Sequence, residues 1–151
     1  MSGLAPRLLR VCATWLSLDL ACCATWQAPA DVGDAELRGR AVTAERGDVR
    51  VSAAVLGAAD VRRLLGADLD KTHVQPVWIE IRNGTSQPLW LLRSGTDPDY
   101  YSPLEVAWSL HTPFHADANA RIDDHFDKLA LKNPIARGWR AQGYYSPIPN
   151  T

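Results

Sequence analysis

Along "HVQPVWIEIRNG", Val77, Ile79 and Ile81 fall on one parity, and Trp78, Glu80 and Arg82 on the other. A period of two marks a strand, because successive side chains point to opposite faces. Pro76 cannot donate to a ladder, which places this strand near an edge or starts it at that residue. Val49, Val51 and Val55 repeat the alternation in residues 48–55, and residues 37–45 are read as a strand before them. Arg46-Gly47-Asp48 is the turn between these two, with Gly47 free to take positive φ. Asn83-Gly84 reads as a further turn leading into a strand at "QPLWLLR", and "GWRAQGYYSPI" (138–148) reads as the last one.

Helical spacing appears between the strands. In "AADVRRLLGADLD", Val61, Leu64 and Leu65 share a face, and Gly66 suits the residue after a helix end. Ser102-Pro103-Leu104-Glu105 is a capping box with proline at the first helical position. From it, Leu104, Ala107, Trp108 and His111 are expected on one helical side. Residues 120–131 place Ile122, Phe126 and Leu129 together, and Asn133-Pro134 ends that helix.

Five strands, short turns and helical insertions predict a mainly β, α+β fold. The architecture expected is an antiparallel, loosely immunoglobulin-like β-sandwich. The closing "SPIPNT" carries a turn signal with no strand after it, so one further strand is expected beyond Thr151.

The first 23 residues break this pattern. Arg7 and Arg10 precede an apolar run from Val11 to Leu18 that is too short to span a bilayer, as in a signal peptide. The run ends at Leu20-Ala21-Cys22-Cys23, which resembles the lipobox of bacterial lipoproteins with Cys23, or Cys22 in the neighbouring register, as the lipidated residue. Asp19 departs from that pattern. The organisation expected is a signal peptide at 1–23, an Ala/Pro/Asp/Gly-rich tether at 24–36 and one globular domain at 37–151.

Composition narrows the chemistry. The 151 residues suffice for one domain with a core, and 46% hydrophobic content is ordinary. Net charge is -1 with both signs interspersed, unlike a nucleic-acid surface, so no nucleic-acid partner is expected. All three cysteines, Cys12, Cys22 and Cys23, precede the body, which excludes a disulfide framework, a thiolate zinc site or a cysteine nucleophile there. No Walker loop, dinucleotide fingerprint or Gly-x-Ser-x-Gly elbow occurs, and no cofactor is expected.

What remains are candidate binding residues. Asp97 and Asp99 flank a proline in a turn-forming loop, where paired carboxylates could also face a hard cation. Tyr100 and Tyr101 follow as amphipathic rings. Trp78 lies opposite the Val77/Ile79/Ile81 face, so a second layer covers it or it is exposed. The alternative chemistry is a metal-assisted hydrolase drawing on Asp97, Asp99, His111, His115 and Asp123 or His125. Its His111-x3-His115 spacing is interrupted by Pro113 and lacks the adjacent glutamate of a zincin.

The run "HVQPVWIEIRNGTSQPLWLL" followed by "DPDYYSPLE" resembles a pattern of uncharacterised bacterial lipoproteins and envelope proteins. The resemblance covers about residues 49–151 and implies an envelope domain without an assigned activity. It brings no catalytic residues. The function expected is that of an exported domain of the bacterial cell envelope, lipid-anchored to a membrane, extracytoplasmic, and acting by binding or as a structural component. Its expected partners are the membrane and an envelope protein.

Overall fold

The computed structural model describes residues 26–30, 33–69, 72, 74–95 and 100–145. The signal-like segment with Cys22 and Cys23, the Asp97 and Asp99 loop, and the end of the last expected strand lie outside the described residues.

Four strands form one sheet in chain order, β1 (Val42–Arg46), β2 (Val49–Val55), β3 (Val77–Asn83) and β4 (Arg140–Tyr145), each antiparallel to the next. The fold is therefore α+β around an antiparallel sheet. No second sheet of the kind a sandwich needs occurs among the described residues. The β1–β2 turn is as expected, with Gly47 at φ 57°.

Two expected strands are corrected. Residues 37–45 are not one strand: Ala35–Arg40 is helix α1, and pairing starts only at Val42. Glu36 in its first turn and Arg38 and Arg40 in its last complement the helix dipole, and Leu37 is its buried anchor. "QPLWLLR" runs extended but carries a single backbone bridge, in which Leu89 and Ile135 exchange bonds of 3.0 and 2.8 Å. Its next rung is a side chain: Asn133 accepts from the Leu91 N–H at 3.1 Å and donates to the Leu91 carbonyl at 3.0 Å.

Helix α2 (Ala58–Asp60) continues as a π-helical turn, Val61–Leu65, and stops at Gly66 with φ 63°. Helix α3 (Pro103–Ser109) starts on the expected capping box. The Ser102 Oγ accepts from the Glu105 N–H at 3.2 Å, and Glu105 Oε2 accepts from the Ser102 N–H at 2.7 Å. Its inward face is formed by Pro103, Val106 and Ala107; of the residues expected on one side, Ala107 is buried while Leu104 and Trp108 are exposed. Helix α4 (Ala116–Leu129) begins one turn earlier than the apolar pattern suggested. It ends before Leu131, which is fully buried and crosses over β4. A Cβ on Gly143 would lie 2.3 Å from the Leu131 nitrogen, so only glycine permits that crossing.

Both faces of the sheet are covered, by different means. The even face, with Ala54, Trp78 and Tyr144, packs against Leu37, Leu64, Val106, Ile122 and Phe126 of the helical layer. On the odd face, Ile81 meets Leu131 and Ile135, with Val49, Val51, Leu89 and Ala141 around them. Cover on the odd face stops short of Val55, which is 58% exposed although its parity predicts burial. Trp26 packs against the main core, within the stretch read as a tether. Among the described residues no helix is long and apolar enough to cross a membrane.

Candidate functional site

Trp78, wholly inaccessible at 0% exposure, is the floor of a cleft of about 410 Å³. The cleft forms where the approach to α1, helix α4 and strand β4 meet. Pro29 and Ala30 give one rim, His125, Lys128 and Leu129 another, and Gln142 and Tyr144 a third, with Asp34 between them.

Each polar wall residue is placed by its element. Asp34 precedes α1 but makes no side-chain cap to it. Its carboxylate instead accepts from Gln142 Nε2 at 2.6 Å and from the Tyr144 hydroxyl at 3.4 Å, with Arg38 Nη2 3.9 Å away. Gln142 and Tyr144 share the even face of β4 with their β3 partners Glu80 and Trp78. Burial, then the charge and hydrogen bond of Asp34, push the Tyr144 phenol well above its ordinary range, so it remains a donor. His125 lies on the inner side of α4, where its Nε2 donates to the Leu64 carbonyl at 3.1 Å and its ring meets Trp26 at 5.4 Å between centroids. Burial holds its pKa below the ordinary imidazole value, with the nearby Lys128 charge adding to the effect. The neutral ring thus carries its proton on Nε2 and keeps Nδ1 as an acceptor. Among the described residues Lys128 makes no ion pair.

Beside the cleft, Glu80 is buried on the even face and meets three guanidiniums: Arg38 at 2.8 Å, Arg82 at 3.3 Å and Arg140 at 3.4 Å. Burial raises the Glu80 pKa, but the Arg38 hydrogen bond and the Arg38 and Arg140 charges outweigh it, leaving the group below its ordinary value. Arg38 also stands over the Trp78 ring at 5.6 Å. The arrangement holds a carboxylate, a phenol, a neutral imidazole and an unpaired ammonium around an apolar floor. That set can orient a polar molecule. It offers no serine, threonine or cysteine hydroxyl or thiol among the described lining residues.

Asp97 and Asp99 lie outside the described residues; of the candidate binding residues that are described, only Trp78 lines this cleft. Tyr100 is half-buried with the Arg93 guanidinium over its ring at 5.8 Å, and Tyr101 is exposed. The histidines of the alternative chemistry do not converge. His111 Nε2 meets Asp123 Oδ1 at 2.9 Å, His115 Nδ1 bonds the Pro113 carbonyl, and His125 serves the cleft. Among the described residues no three His, Cys, Asp or Glu side chains group as a metal site would.

Asp34, Lys128, Gln142 and Tyr144 went unnoticed in the sequence. Only the parity of β4 offered a signal, since it sets Gln142 and Tyr144 beside the partners of Trp78. Compared with models of protein families, with curated proteins and with solved structures, the chain matches none.

Proposed function

We propose that the chain is an exported bacterial envelope domain that binds a small polar molecule in the cleft over Trp78 and is held at a membrane by a lipid on Cys23 or Cys22. The cleft carries the binding part of this reading. Its volume falls within the range of about 300–1,000 Å³ usual for small-molecule sites, and its polar groups are fixed by Asp34, Tyr144 and Leu64 before any ligand arrives. The anchor rests on the positive, apolar and small-residue succession that ends at Cys23. A sandwich-like second layer is supported by the bridged pair Leu89 and Ile135, which packs against Ile81 on the odd face of the sheet.

Two experiments test the proposal. Fatty-acid labelling and membrane fractionation in a bacterial host should show label that disappears in Cys23→Ala or Cys22→Ala. A soluble, uncleaved, unlabelled chain would remove the anchor. A fragment screen followed by NMR should move the amides of His125, Lys128, Gln142 and Tyr144 together, and Ala30→Trp should block it by filling the rim. Hits that survive Ala30→Trp would place binding elsewhere.

A further inference from the structure

Strand β4 is one of the two edge strands of the sheet, and its open side is a second feature beside the cleft, with which it shares Gln142. The Asn83 N–H donates to the Trp139 carbonyl at 2.9 Å, which fixes the alternation of the β3–β4 ladder. With a period of two, Ala141 and Gly143 exchange backbone bonds with β3, while Arg140, Gln142 and Tyr144 turn their N–H and C=O groups outward. Tyr144 bridges to Ala130 on that side. Arg140 and Gln142 have no outer backbone partner among the described residues.

A groove of about 430 Å³ runs along these residues, between β4 and residues 132–136. Trp139, 70% exposed, stands in its wall and also borders the smaller hollow beside Asn83 and Gly84. Among the described residues no carboxylate lines either space, whereas Lys132, Arg140 and Arg82 do. Lys132 is paired with Asp127 at 2.7 Å and Arg38 also has Asp34 3.9 Å away, so the excess of positive charge rests on Arg82 and Arg140, which share the one carboxylate of Glu80. Arg137 is exposed in the adjoining turn.

We propose that this edge receives an extended acidic segment of a partner protein, which adds to β4 as a further strand. The outward groups of Arg140 and Gln142 supply the ladder, Trp139 the apolar contact, and the arginines the charge selection. An acidic glycan would satisfy the charge but has no strand ladder to offer. The proposal goes beyond the cleft and needs neither the cleft nor the lipid anchor.

The test uses the full chain and a capped peptide that alternates glutamate and threonine, read by amide hydrogen exchange. In the free protein the Arg140 and Gln142 amides should exchange fast and those of Ala141 and Gly143 slowly. Peptide should slow Arg140 and Gln142 by about tenfold or more, as ladder bonds close over them. A twin peptide N-methylated at alternate residues should leave them fast, and a lysine-for-glutamate twin should bind far more weakly. Trp139→Ala, at an exposed site, should weaken binding by about tenfold while leaving the fold intact. Three results would overturn the proposal: Arg140 and Gln142 amides already slow in the free protein, which means the edge is covered by the chain itself or by a second copy; equal binding of the N-methylated twin, which means charge alone acts; or binding of polygalacturonate but not of the peptide.

Discussion

Glu80 shows how one side chain can tie several elements together. It sits on β3 and meets Arg38 from α1, Arg82 from its own strand and Arg140 from β4. Its folded pKa is depressed, so its stabilisation is present above the unfolded carboxylate pKa and fades as pH falls through the lower folded value. Thermal melts should therefore weaken as pH drops below about 4, where the unfolded carboxylate takes up its proton, and Glu80→Gln should flatten that dependence. At neutral pH the substitution should cost about 1–3 kcal/mol, toward the low end because the guanidiniums reach solvent. Phe114 is the opposite case, fully exposed at φ 66° in the turn between α3 and α4. No packing is lost if it changes, and left-handed backbone is strained for a bulky side chain. Phe114→Asn should raise stability by about 0.5–1 kcal/mol in a denaturant titration.

At the scale of elements, two asparagines do what strands or caps would otherwise do. Asn119 on α4 accepts from the Thr112 N–H and donates to the Thr112 carbonyl, both at 3.0 Å, and so clamps the α3–α4 turn. Asn133 pairs with both backbone groups of Leu91 and holds the extended segment across the odd face. Asn133→Ala should cost about 1–3 kcal/mol and speed exchange at Leu91 ahead of Leu89, whose backbone bonds remain. A sequence reading cannot separate this segment from a strand. Leu89 and Leu91 turn inward and Trp90 and Leu92 outward, as a strand requires, but the partner is an amide side chain. Helix α3 was legible in its start and not in its face. The capping box depends on neighbours in sequence, whereas the choice between Leu104 and Val106 depends on where α4 and the sheet lie.

For the whole molecule, Trp26 and Pro29, ahead of α1, belong to the packed body. Trp26 lies against His125 and the main core, and Pro29 would be 2.9 Å from a Cβ on Gly66. Burial holds His125 neutral, so Trp26→Ala should let its pKa climb back toward the ordinary value, measurable by NMR titration. The sign is that of a lowered histidine: folding is weakened as pH falls below the unfolded pKa, and the variant should lose part of that dependence. The metal-hydrolase alternative can be judged at the same scale. Purified protein should retain no stoichiometric metal, and an ion lost on His111→Ala would reverse that assignment.

Local pattern alone determined β2, β3, the turn at Gly47, the start of α3, the end of α2 and most of β4, because each is set by residues within a few positions. The N-terminal address is a reading of the same kind of pattern, proposed above and put to the labelling experiment. Tertiary structure decided which face of the sheet became the core. Alternation in β3 is apolar on the odd parity, yet Trp78 on the even one is the most deeply buried of its strand, since the helical layer packs there. It also decided that α1 is a helix, for Leu37 needs the core beneath it to be worth burying. The cleft was invisible in sequence for the same physical reason. Asp34 lies far along the chain from His125 and Tyr144, which sit on different elements, and only the packing of α4 and the start of α1 against β4 brings their side chains to one place.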